Sequence, residues 1–97
     1  MDDRLTHDQF APYTGQQFSF HGHHLTLTLA SVTANPQFAL PGSPHVPFTL
    51  IFHGPAGDIL PEGLYRTQVQ DGPATDLYLM PIHTIERDRQ AYQAVFN

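Results

Sequence analysis

Three imidazoles crowd into "HGHH", at His21, His23 and His24. Neutral imidazole binds zinc, copper or nickel, and a tight turn can gather two or three of them. The spacing works against a site here. His23 and His24 are adjacent, so in a strand they point to opposite faces. No Asp or Glu stands within ten residues on either side, and the chain has no cysteine. The three are expected to be solvated turn histidines, weak metal candidates only, and no cofactor is expected.

Other reactive types are equally scattered. Ser19, Ser31 and Ser43 are present, but none sits in a G-x-S-x-G elbow. Asp58 and Glu62 fall in a Gly/Pro-rich connection, and Asp71 and Asp76 flank a turn, where carboxylates are ordinary solvated residues. Gly54, Gly57 and Gly63 lack the Lys-Ser/Thr that completes a phosphate loop. No catalytic residue is assigned, and the chain is expected not to be an enzyme.

The elements that would position these residues are strands. In "QFSFHGHHLTLTLASV", Phe18 and Phe20 share one parity while Leu25, Leu27 and Leu29 share the other. A tight turn at Gly22 would flip parity in this way, so the run is expected to be a hairpin. "VPFTLIFHGP" alternates Phe48, Leu50 and Phe52 with Thr49, Ile51 and His53. It is expected to be a strand whose second face is incompletely polar, with His53 the residue to locate first. "LYRTQV" should turn Tyr65, Thr67 and Val69 inward, and "AYQAVFN" should be a final strand.

Before the strands, "LTHDQFAPY" predicts a short helix over 5–13, with Thr6 and Gln9 as a capping box and Leu5 and Phe10 as anchors. After them, three prolines and a glycine predict a long loop over 33–46 that carries Phe38 and Leu40. Those two side chains either pin the loop onto the domain or meet a partner. Ile59 and Leu60 are expected to tuck back onto the core. Pro81 has no N–H for a ladder, so its strand must be an edge or bulged there. Tyr78, Met80 and Ile82 on one face of that strand would be adhesive unless covered. The sum is a single all-β domain over 1–97, with one short N-terminal helix. An antiparallel meander of about six strands over 16–97 would form a small barrel or sandwich.

Composition narrows the partners. The chain has 97 residues, four Arg, no Lys and formal net charge −5. Phosphate backbones need clustered cations, so nucleic acid is not an expected partner. Seven His would carry the net charge from −5 to +2 if all were protonated. The opening "MDDRLTHDQF" is acidic and unlike a secretory signal, and no apolar run reaches the length of a membrane helix.

The combination "PFTLIFHGP", "LPEGLY", "LYLMPI" and "YQAVFN" resembles a family of small uncharacterised bacterial domains across nearly the whole chain. His53 departs from that pattern, where Arg is frequent. The resemblance implies no activity and no catalytic residues. It implies proximity to proteins resembling phage tail collar or fibre components. The expected function is therefore a structural or interaction module that self-associates or docks onto a larger protein. Its contacts would include Phe38, Leu40, His53, Tyr78, Met80, Pro81 and Ile82. It would reside in the cytoplasm or in a phage-tail-like particle. The alternative is a barrel lined by Phe18, Leu27, Phe48, Phe52, Tyr65 and Phe96 that holds one small apolar ligand.

Overall fold

The computed structural model describes residues 6–42, 46–70, 72–84 and 86–96. Leu5, Ser43 and Asp71 lie outside those residues. Six strands close into an antiparallel barrel: β1 (Gln17–Phe20), β2 (Thr26–Ala34), β3 (Phe48–Pro55), β4 (Gly63–Val69), β5 (Ala74–Ile82) and β6 (Arg89–Phe96). Their order around the barrel is β1-β2-β3-β6-β5-β4, with β4 returning to β1. This is not a simple meander, which would set β4 beside β3. The β3–β4 connection instead crosses the barrel end and delivers β4 to the free side of β1, a Greek key.

Alternation chooses the inner wall. Phe48, Leu50 and Phe52 of β3 are fully buried, as are Leu27 and Leu29 of β2 and Leu77 and Leu79 of β5. Thr67 and Val69 point inward as the pattern of "LYRTQV" predicts. Phe52 takes Phe18 and Phe20 edge-on, with centroids 5.3 and 6.1 Å away. A turn joins β1 to β2 where Gly22 takes φ +84° and the His23 N–H donates to the Phe20 carbonyl at 2.9 Å. A residue with a side chain would be strained at that φ. An irregularity between Leu29 and Ser31 then shifts the register of β2 against β3. The extra residue, Ala30, moves the inward set from Leu27 and Leu29 to Val32 and Ala34.

Helix α1 (His7–Phe10), continued by a 3-10 turn (Ala11–Tyr13), sits at one barrel end. The expected capping box forms between Thr6 and Gln9, with the Thr6 N–H donating to Gln9 Oε1 at 2.7 Å. Phe10 is buried against Phe48 and Phe96, with centroids 5.8 and 5.6 Å away. At the other end, Leu60 is buried and its N–H donates to the Tyr92 hydroxyl at 3.0 Å. Ile59 does not tuck in. It is 53% exposed in the β3–β4 connection, where Leu60 alone of the pair takes the buried position.

Candidate functional site

The interior is filled by side chains. Phe18, Leu27, Phe48 and Phe52 are at most 2% exposed, and Tyr65 and Phe96 pack against them. Among the described residues they form the packed core. A cleft of about 130 Å³ remains beside the helix, lined by Phe10, Tyr13, Phe18, Val69 and Thr75 among others.

His23 and His24 lie in the turn between β1 and β2 and not in a strand, so parity does not govern them, yet they still separate. His21 and His23 line a shallow groove between β1 and β4, together with Ser19, Arg66 and Gln68. His23 lies edge-on to Tyr65, 5.2 Å between centroids. His24 turns away and bonds Asp58 through Nε2 at 2.9 Å. That partner is not legible along the chain, because Asp58 lies 34 residues on and reaches His24 only through the crossover connection. Arg66, the cation of the groove, is held by Asp76 at 3.2 Å. Among the described residues no three His, Asp or Glu side chains converge as a metal site would require.

The outside of the barrel carries the remaining candidates. Phe38 and Leu40 are 70% and 75% exposed. They therefore do not pin their loop, which starts at Asn35 because β2 continues through Ala34. A 3-10 turn (Pro36–Phe38) gives the loop its shape. Across the outer wall, Leu64 of β4 pairs with Tyr78 of β5, and Met80 pairs with Gln93 of β6. Leu64, Tyr78 and Val95 are exposed, while Met80 and Ile82 are half-buried. Tyr78 donates its hydroxyl hydrogen bond to Glu62, a bond that raises the tyrosine's pKa above the ordinary range. Helix α1 packs on Phe48 and Phe96 rather than over this face.

Pro81 occupies the handover between two ladders. Pairing with β4 ends at Leu79, and pairing with β6 begins at Met80. One flank of β5 is therefore open at Pro81, which makes it the local edge its missing N–H requires. His53 is half-buried on the outer side of β3, between Thr28 and Ala91. Its Nδ1 lies 3.4 Å from Arg89 Nη1, and Arg89 also bonds Glu86 at 3.1 Å. The structure thus gathers Tyr78, Met80, Pro81 and Ile82 on one strand. His53 lies two strands away, and Phe38 and Leu40 on a separate loop. Leu64 and Val95 were missed, since an isolated apolar residue in a strand carries no sign of which face it takes until the register is known.

No helix among the described residues is long and apolar enough to cross a membrane. No curated protein and no solved structure matches the chain. A family profile, a domain of unknown function (DUF6916), matches residues 5–96, and the chain belongs to that family.

Proposed function

We propose that this member of the family is a non-enzymatic interaction module that docks onto a larger protein and associates with its own kind. One observation carries the reading. The barrel fills its own interior and still leaves Phe38, Leu40, Ile59, Leu64, Tyr78 and Val95 exposed. Leu64, Tyr78 and Val95, with Met80 and Ile82 beside them, face outward on three adjacent strands, β4, β5 and β6. Aromatic and Met side chains of this kind are enriched at protein interfaces. Tyr78 brings a rigid ring whose hydroxyl is already oriented by Glu62. We read the larger partner as a component of a tail-like or fibre-like particle, on the motif resemblance set out above. The chain would then act in the cytoplasm during assembly or within the particle.

A photo-crosslinking residue at position 78, introduced in the native host, tests this. The expected products are adducts with a collar-like or fibre-like component, identified by mass spectrometry and lost in Leu64→Glu. Crosslinks to no such component, in a protein that is also monomeric at every concentration, would refute the reading.

A further inference from the structure

Among the described residues, the charged side chains other than Asp8 lie in one half of the barrel. No Asp, Glu, Lys or Arg occurs anywhere in residues 9–57. That run holds β1, β2 and β3, which are consecutive in the barrel order, so the gap in sequence is also a gap on the surface. The charges after residue 57 all belong to β4, β5, β6 and their connections. Apart from Asp8 on α1, the described residues of the first half present only neutral groups and imidazoles. Thr26, Thr28, Thr33, Thr49 and Ile51 stand on the outside of β2 and β3. Phe38 and Leu40 project from the loop between those strands.

Barrel exteriors ordinarily carry charges that keep copies apart, and a charge-depleted patch has the composition of an interface core. Each chain carries −5, so two copies repel at long range. An approach through the β4–β5–β6 half would have to strip water from charges of both signs, Glu62 and Asp76 together with Arg66 and Arg89. Among the described residues, the β1–β2–β3 half lets two copies meet without that cost. We infer that the β1–β2–β3 half is a self-interface, on which two copies pack like surface against like surface, with Phe38 and Leu40 as its apolar anchors. This inference rests on the interaction-module reading and assigns its self-contact to the half opposite the Tyr78 face.

Light scattering and sedimentation of the full chain over a wide concentration range, at low and high salt, provide the test. The expected result is a dimer that tightens with salt, because screening removes the repulsion and no ion pair is lost. Thr33 is exposed, so Thr33→Lys leaves the fold intact, which a melting curve verifies. Juxtaposed like charges cost several kcal/mol, so Thr33→Lys should weaken the dimer by about a hundredfold or more. Phe38→Lys, on the loop, should do the same, and so should Thr33→Asp alone. Mixing Thr33→Lys with Thr33→Asp should restore the dimer. A monomer at every concentration would overturn the self-interface, while position-78 crosslinks to a larger component would leave the docking reading standing. A dimer lost in Leu64→Lys but indifferent to Thr33→Lys would also overturn it, by moving the contact to the other half.

Discussion

Tyr92 shows how much one hydroxyl can hold. It is fully buried, and its oxygen accepts the N–H of Leu60, the residue that closes one end of the barrel. Tyr92→Phe leaves that buried N–H without a partner, and the expected loss is about 1–3 kcal/mol in urea denaturation. The variant should also change the alkaline limb of stability. Burial raises the folded Tyr92 pKa above the ordinary 10.0, and Tyr78 is raised as well through Glu62. The unfolded chain therefore loses these protons first, so stability falls as pH climbs from about 10 toward the folded values. In Tyr92→Phe that fall should be shallower, read as the slope of unfolding free energy against pH. An unchanged slope would remove Tyr92 from the account. Gly54 is the second close fit, since a Cβ there would run into the Leu27 side chain beneath it. Leu27 is fully buried and has little room to yield, so Gly54→Ala should cost about 1–3 kcal/mol by overpacking. A neutral result would mean that the core relaxes around the methyl group.

The elements were legible where alternation and turn chemistry agree. The two-residue period in "PFTLIFHGP" and "LYRTQV" assigns inward and outward sides because one face is apolar, and the glycine in "HGHH" supplies the backbone conformation of the turn. The bulge at Ala30 was not legible, since "LASVTA" reads equally well in either register until β3 pairs with it. The exposure of Phe38 and Leu40 was undecided for a related reason, because a loop side chain has no period to show which way it faces. The helix was legible from its cap, but its worth lies in one side chain. Phe10 buries its ring against Phe48 and Phe96, so Phe10→Ala should cost about 3–5 kcal/mol, a large share of a small domain's stability. Gln9→Ala removes only the bond to the Thr6 N–H and should cost about 1 kcal/mol or less. Equal effects in thermal or urea melts would contradict the view that α1 is a plug anchored by its phenylalanine.

What the sequence could not convey about the whole molecule is also what should govern how it folds. Proximity along the chain suggests hairpins and so a meander. Two of the pairings that close the barrel join distant segments: Phe18 opposite Val69, and Leu50 opposite Ala94. Neither partner carries a mark of the other, since both are inward apolar residues interchangeable with their neighbours. Closure gives β1 and β3 their second neighbours, and in this barrel those are β4 and β6. Long-range pairs of this kind must meet the loop-closure entropy before their contacts compensate it. Refolding is therefore expected on the millisecond-to-second scale of non-local β topologies, measured by stopped-flow tyrosine fluorescence. The β1–β2 turn is local by comparison, so a strained Gly22→Val should slow folding only if that hairpin belongs to the nucleus. If β3–β6 and β1–β4 closure limits the rate, Gly22→Val instead speeds unfolding and leaves the refolding arm nearly unchanged. Refolding in microseconds, or a refolding arm that carries the whole effect of Gly22→Val, would show that local hairpins set the rate.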